Sequence, residues 1–375
     1  MMRVLVGDIF QSKAHTLVNT VNCVGVMGKG IALEFKKRFP SMYEDYVLRC
    51  KRGEVHLGEP YVYFRHETPW ILNFPTKYHW RALANSEDII RGLEYLLHNY
   101  KFWGIESIAV PPLGAGLGQL EWRIIGPILY KFLSKMEIPV ELYAPYQTPA
   151  DELQLDFLRT GVQPNQLPLK TPSPEWITAP WIALVEILRR IQSQPYHWPI
   201  GRVTFQKLAY VALVSGIPLD IEFKRGSYGP FLPTLKRMTS RLISNALIIE
   251  QQEGQMFQIK VGTQFENATR AYASELAPWE PMISKVVDLF ARTTTHQAEI
   301  IATVLFAAHE LEANLSRRIG ETEVVSAVLD WKLRRRPALS PEEVAYTVRN
   351  LAALKWLDLE PDAAEILSYE ASAEL

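Results

Sequence analysis

Residues 17–35 read LVNTVNCVGVMGKGIALEF. The run TLVNTV (16–21) has the Val-rich texture of a buried strand. It carries Asn19 and leads to Asn22, then to a loop dotted with Gly25, Gly28 and Gly30. A helical pattern, GIALEFKKRFP, follows and is expected to stop at Pro40. Glycines let backbone N–H groups approach a ribose or a phosphate closely. A helix N-terminus adds a dipole that favours an anion. No GK[ST] closes this loop, so it is not a Walker A loop, and it lacks the G-x-G-x-x-G fingerprint. Alone, such a loop is as readily structural as ligand-binding.

Two further stretches change that balance. MRVLV (2–6) reads as a strand ending in Gly7-Asp8-Ile9. This puts a carboxylate at a strand's C-terminal mouth, where α/β folds bind ligands. Asp8 there either caps a turn or accepts from the exocyclic amine of an adenine. VPPLGAGLGQLEW (110–122) places Gly114, Gly116 and Gly118 between a buried strand and the helix that Glu121 and Trp122 open. Backbone donors converging at such a turn suit a pyrophosphate.

In order, spacing and context these three stretches resemble the macrodomain family of ADP-ribose-binding modules. The resemblance covers roughly the first 146 residues. It implies a three-layer α/β/α fold with a mixed central sheet. Asp8 and Ile9 would take the adenine end. Asn22 and the loop Gly28, Lys29, Gly30, Ile31 and Ala32 would wrap the distal ribose, with Asn19 counted among the binding residues. Leu113, Gly114, Ala115, Gly116, Leu117 and Gly118 would cradle the pyrophosphate.

ILNFPTKYHWRALAN (71–85) narrows the assignment. A strand runs to Pro75 and Thr76, and Lys77 sits just beyond it, flanked by aromatics. A partly desolvated lysine loses pKa and gains nucleophilicity. Tyr78, His79 and Trp80 can stack on the bases of single-stranded nucleic acid. NFPTK with VNCVGVMGKGIA and PPLGAGLGQLEW is similar to the antitoxin macrodomains of the DarT–DarG toxin–antitoxin family. That resemblance implies an antitoxin and an enzyme, a DNA ADP-ribosyl glycohydrolase. It would hydrolyse the N-glycosidic bond between ADP-ribose and thymidine bases of single-stranded DNA, with Lys77 catalytic. Its partners would be ADP-ribosylated single-stranded DNA, ADP-ribose and the cognate DarT toxin.

Two roles stay open for Lys77. It could protonate or electrostatically stabilise the departing base, or attack the anomeric carbon and form a transient adduct. Related glycohydrolases with a lysine nucleophile pair it with an acidic residue in the pyrophosphate loop. Gly118 stands at that position here, although Glu121 is near in sequence. Cys23 reads as a packing residue beside the ribose loop. His15 and His79 are too far apart in sequence to suggest a metal site, and no cofactor is expected. The alternatives are a hydrolase of ADP-ribosylated protein or of O-acetyl-ADP-ribose, and a non-enzymatic ADP-ribose reader.

The other strands of this region read YVYF (61–64), WILNF (70–74), SIAVPPL (107–113) and VELYAPY (140–146). Helices are expected over SEDIIRGLEYLLHNYKFWG, capped by Ser86, and over 121–136. Strands alternating with helices imply an α/β layer fold. The domains are expected as a macrodomain over 1–146, a Pro-rich linker over 147–175 and a mainly helical toxin-binding region over 176–375, with a subdivision near 265–320. The linker stretch holds five of the chain's 25 prolines.

Beyond 176 the apolar spacing is helical in WIALVEILRRIQ, TFQKLAYVALVSG, PFLPTLKRMTSRLISN, PWEPMISKVVDLFART and HQAEIIATVLFAAHELEAN. Residues 246–262 suggest a small β-hairpin turning near Glu253-Gly254. Residues 321–357 suggest a helix-turn-helix-like unit whose second helix starts in a capping box from Ser340 to Glu343. Lys332, Arg334, Arg335 and Arg336 between its helices permit binding to an operator. The turn RGSYGPF (225–231), with FQKLAY before it, is similar to a domain shared by bacterial antitoxins. This implies that the C-terminal region binds and blocks the toxin.

Composition sets the outer bounds. The 375 residues carry a net charge of −1, with 48% hydrophobic and 22% charged residues, which is ordinary globular usage. There is no global basic field for nucleic acid. Residues 1–150 carry 17 basic and 14 acidic side chains, so the remaining 225 are net acidic. An acidic surface can compete for a toxin that must bind DNA. Two cysteines exclude a disulfide scaffold and a four-cysteine zinc site. No stretch approaches the ~20 apolar residues of a membrane span, so no membrane association and a cytoplasmic location are expected.

Overall fold

A computed structural model describes residues 2–146, 148–160, 177–253, 256–315, 317–333, 335 and 337–360. Among these, two compact units form. One gathers residues of 1–185, 237–249 and 261–278; the other holds 186–236, 250–260 and 279 onward.

In chain order the first unit begins with β1 (Met2–Leu5), a 3-10 turn (Ile9–Gln11) and β2 (Thr16–Asn22). Then come α1 (Gly30–Arg38), α2 (Pro40–Lys51), β3 (Tyr61–Tyr63), β4 (Trp70–Lys77) and α3 (Ser86–Asn99). The series closes with β5 (Ile108–Val110), α4 (Trp122–Leu133), β6 (Val140–Tyr143), a 3-10 turn (Asp151–Leu153) and α5 (Leu155–Thr160). The strands form one sheet in the order β1-β6-β5-β2-β4-β3. All neighbours are parallel except β3, which pairs antiparallel with β4 at one edge. This is the mixed sheet expected from the sequence, with all six expected strands in place. Central strands buried on both faces read as near-continuous apolar runs, which is why they stand out so clearly in the sequence. Leu17, Val21 and Ile71 of the sheet share a core with Phe35 of α1 and with Met42 and Tyr46 of α2. α3 lies close on β4, where the Phe74 ring fills the space a Cβ at Gly92 would need.

The first helix stops before Pro40 as expected, at Arg38, and Pro40 also opens a second helix, α2, at N1, where its missing N–H costs nothing. Two local expectations are corrected. The N-cap of α3 is Asn85 rather than Ser86, and its Oδ1 accepts from the Glu87 N–H at 2.9 Å. The helix expected to start at Pro230 begins only at Leu235, because Gly229–Phe231 forms a strand. Within the Pro-rich stretch, residues 151–153 and 155–160 are helical. Most of the rest, including 161–175, lies outside the described residues, as does Gly254 at the expected hairpin turn.

The chain continues through α6 (Ala179–Gln192), α7 (Arg202–Val214), β7 (Lys224–Gly226) and β8 (Gly229–Phe231). Next are α8 (Leu235–Ser244), β9 (Ile248–Glu253), β10 (Met256–Val261), α9 (Phe265–Ala271) and α10 (Ala273–Leu276). α11 (Glu280–Phe290), α12 (Thr295–Leu315), α13 (Glu321–Trp331) and α14 (Pro341–Ala353) complete the series. Most of α8, with α9 and α10, belongs to the first unit.

In the second unit α12 packs against α7, α13 and α14. Ser340 caps α14, its Oγ accepting from the Glu343 N–H. The RGSYGPF turn rests on buried lysines. Lys207 Nζ donates to Pro230 O at 2.7 Å, and Lys332 Nζ donates to Ser227 O at 2.9 Å and to Glu299 Oε1 at 3.0 Å. Arg335 also donates to Glu299. Burial alone would raise the Glu299 carboxyl, but hydrogen bonds from Arg335 and Lys332 outweigh it and hold the pKa low. Lys332 and Arg335, two of the basic residues that permitted operator binding in the sequence, are drawn to a buried carboxylate that needs partners. Arg334 and Arg336 lie outside the described residues. Among the described residues no helix is long and apolar enough to cross a membrane.

Candidate active site

The strands β1, β2, β4, β5 and β6 run parallel, so the loops after β1, β2, β4 and β5 leave the same edge of the sheet. These loops carry the sequence-predicted residues, and α/β sheets bind ligands at that edge. β2 and β4 run in register from Thr16 opposite Trp70 to Val21 opposite Pro75. A shift then pairs Asn22 with Lys77, and the Cys23 N–H donates to Tyr78 O at 2.9 Å. The start of the first glycine loop and the candidate catalytic lysine therefore lie side by side.

Asn22 organises its own loop. Its Oδ1 accepts from the N–H groups of Val24 (3.0 Å) and Val26 (3.3 Å), and its Nδ2 donates to Val26 O at 2.6 Å. The Tyr46 hydroxyl, with one hydrogen to give, lies 2.8 Å from Asn22 O and 3.0 Å from Asn22 Oδ1. Gly28, Lys29 and Gly30 are exposed, and Ile31 and Ala32 half-buried, at the start of α1. Lys29 is the N-cap of that helix without a side-chain cap, which leaves the first N–H groups open to a ligand. Asn19 is fully buried within the sheet and donates to Asn73 Oδ1 at 2.9 Å.

The Leu113–Gly118 loop, expected from sequence to hold a pyrophosphate, is a tight curl. Ala115 N–H donates to Pro112 O, Gln119 N–H to Gly116 O and Leu120 N–H to Gly114 O, each at 3.0 Å. Leu113, Gly114 and Gly118 are buried, whereas Gly116 and Leu117 are exposed. A Cβ at Gly118 would stand 2.5 Å from Gly114 O and 2.8 Å from Ala84 Cβ. The loop has no room for any side chain there, so the acidic partner of lysine-nucleophile relatives cannot occupy this position. Gly30, at φ +59°, brings the first loop up to the second, with Leu117 Cδ1 3.3 Å from where a Cβ would lie.

Lys77 meets both loops. It pairs with Asn22 in the sheet, and its Nζ donates to Leu117 O at 3.1 Å. Burial lowers its pKa from the usual lysine range. Among the described residues no carboxylate lies within ion-pair distance of it. Beyond it Tyr78 and Trp80 are exposed, the His79 and Trp80 rings lie 5.4 Å apart, and Arg81 covers the Trp80 face at 4.5 Å.

A macro domain family model matches residues 18–128. Over 360 residues the chain is 31% identical to a DNA ADP-ribosyl glycohydrolase of Thermus aquaticus, covering 92% of this chain and 96% of that protein. The chain belongs to the DNA ADP-ribosyl glycohydrolase family, DarG. It is also 42% identical over 168 residues to a DNA ADP-ribosyl transferase–DNA ADP-ribosyl glycohydrolase fusion protein of Thermosipho africanus. That alignment covers 40% of this chain and 43% of the fusion, so the chain spans less than half of that relative. The solved macrodomain of Mycobacterium tuberculosis DarG aligns at 42% identity and a TM-score of 0.38, covering 39% of this chain and 98% of that one.

In this member of the DarG family, Asp8 and Ile9 lie on the loop after β1. Asp8 is exposed and its Oδ1 accepts from the Phe10 N–H at 3.0 Å, capping the turn, while Ile9 is buried beneath it. Burial, with help from Cys50 and Asp88, raises Cys23 to about 11, which keeps it a thiol. Sequence reasoning missed Tyr46. The signal is present in α2, where Met42 and Tyr46 stand four residues apart on a buried face, but taking Pro40 as a stop hides the helix.

Proposed function

We propose that the first unit removes ADP-ribose from thymidine bases of single-stranded DNA, with Lys77 as the catalytic residue. The observation that carries this reading is the position of the Lys77 ammonium. It stands between the two glycine loops, bonded to Leu117 O at 3.1 Å. Asp8 and Ile9 receive the adenine end, the Gly28–Ala32 loop the distal ribose and the Leu113–Gly118 curl the pyrophosphate. The anomeric carbon then falls beside Lys77. Tyr78, His79 and Trp80 receive the base and its neighbours by stacking.

Cleavage breaks the bond from the anomeric carbon to the base nitrogen. The ribose gains oxocarbenium character and the base departs with the electron pair. Lys77 gives a proton to the departing base, water adds to the anomeric carbon, and the proton released from that water restores the ammonium. Two features favour this role over nucleophilic attack. No carboxylate partner among the described residues stands within ion-pair distance to take a proton from the amine, and the Leu117 carbonyl accepts a hydrogen bond that the ammonium satisfies best.

The second unit is proposed to bind and inhibit the cognate DarT toxin, making the chain an antitoxin that acts on both the enzyme and its product. The fusion relative, whose name joins a transferase to a glycohydrolase, supports a transferase as the partner. A DNA substrate fits a cytoplasmic location.

The test is release of ADP-ribose from a thymidine-modified single-stranded oligonucleotide, run beside Lys77→Ala with ADP-ribose affinity measured for both. Fast release by the wild type, lost in the variant while binding is kept, supports the reading. Binding without release by the wild type overturns it. The chain would then be an ADP-ribose reader, or a hydrolase of ADP-ribosylated protein or O-acetyl-ADP-ribose. Borohydride trapping of ADP-ribose on Lys77 would establish the nucleophilic route instead.

A further inference from the structure

The pyrophosphate loop is held from outside by residues more than a hundred positions away in sequence. Asn245, just beyond α8, accepts from the Glu121 N–H through Oδ1 at 2.9 Å. Its Nδ2 donates to Arg241 O at 2.9 Å, which fixes the orientation of the amide. Arg241 Nε donates to Gln119 Oε1 at 3.1 Å. Both side chains are buried, Arg241 at 3% and Asn245 at 1% exposure, within the same compact unit as the loop.

Gln119 is the weak point of the curl. Its φ of +61° is a left-handed conformation that side chains other than glycine, asparagine and aspartate rarely adopt. The bond from Arg241 secures that residue from its side chain, and Asn245 secures the loop exit two residues later. Two residues before Gln119, Leu117 presents the carbonyl that receives Lys77 Nζ. The restraint therefore passes from α8 through Gln119 to Leu117 and Lys77.

We propose that Arg241 and Asn245 are positioning residues of the active site, setting the pyrophosphate loop and, through Leu117 O, the Lys77 amine. The inference rests on the ADP-ribose reading of this loop. It implies that a fragment ending near residue 146 keeps the glycine curl but loses its anchors. An unpaired Glu121 N–H and a strained Gln119 would then relax the loop.

The test uses the full chain and three single variants, Gln119→Ala, Arg241→Met and Asn245→Ala, with the Gln119→Ala/Arg241→Met double variant. ADP-ribose affinity is measured by calorimetry, release from modified DNA in single turnover across pH, and folding by thermal melting. The expected result is a loss of affinity of about ten-fold in each single variant, as small misplacements of a binding loop cost. The double variant should be no weaker than Arg241→Met alone, because both changes break one tether. The pH at which release falls should also shift, a change that a purely architectural role would not produce. Gln119 is exposed, so Gln119→Ala reports even if the buried changes prevent folding. Affinity within two-fold of wild type in folded Gln119→Ala, with an unshifted pH profile, overturns the proposal. A wild type that binds no ADP-ribose overturns the reading of the loop and this inference with it. A wild type that binds but releases nothing overturns only the hydrolase reading, and the affinities still decide the role of α8.

Discussion

Lys77 Nζ and Leu117 O, 40 residues apart in the chain, are joined by a 3.1 Å hydrogen bond at the edge of the sheet. The bond ties the end of β4 to the loop after β5 and holds the lysine amine against the second glycine loop. Most of the expected chemistry depends on it.

Lys77→Ala should slow single-turnover release by about 10²–10⁴-fold, the usual worth of a positioned general acid. ADP-ribose affinity should change only a few-fold. Lys77→Arg should stay slow, because a guanidinium does not give up its proton. If Lys77→Arg releases at the wild-type rate, proton transfer from this residue is unnecessary.

The pH dependence separates the two roles of Lys77. As an acid it must be protonated, so release is present below its pKa, itself lowered by burial, and is lost as pH rises through it. A nucleophile would show the opposite slope. A single-turnover pH–rate profile reads the sign directly.

Replacing Tyr78 and Trp80 by alanine should weaken binding of the modified oligonucleotide more than that of the isolated ADP-ribosylated nucleoside, which offers one base to stack on instead of several. Stacking is worth about 1–3 kcal/mol per base. Equal losses on both substrates would place the aromatics in the fold rather than on the DNA.

Gly118→Ala should abolish tight ADP-ribose binding, because the new Cβ meets the Gly114 carbonyl, which is backbone and cannot swing away. Titration with ADP-ribose checks this, and unimpaired binding would show that the curl opens in solution.

Lys207 makes stability depend on pH. Burial, with repulsion from Lys332, lowers it to about 7 from the ordinary 10.5, against the attraction of Glu299. Between those values the unfolded chain binds the extra proton, so stability rises with pH across the window, and the penalty is fully present below pH 7. Lys207→Met should reduce that rise by about 1–3 kcal/mol. Denaturation of both proteins at pH 7 and pH 9.5 gives the difference.

Much of the site is legible in the sequence. Parallel strands buried on both faces show as apolar runs, and glycine loops at their ends mark where backbone must approach a ligand. Asp8, Asn22, Gly30 and the 113–118 curl can therefore be picked out as candidates from local pattern, while Lys77 is singled out by the family resemblance. α2 is hidden because proline is favoured at a helix start and forbidden inside one, so Pro40 taken as an end conceals Tyr46. Lys332 and Arg335 read as a basic surface because a sequence does not show that Glu299 will be buried beside them.

Local sequence sets the strand and loop order, the glycine curls and the lysine at the end of β4, since each follows from neighbours a few residues away. Tertiary packing, in contrast, joins Lys77 to Leu117 and leaves Gly118 no room for a carboxylate. It also brings Arg241 and Asn245 to the second glycine loop. The bonds involved cross 40 to 124 positions. They depend on how whole elements pack, and no local periodicity or propensity encodes that distance.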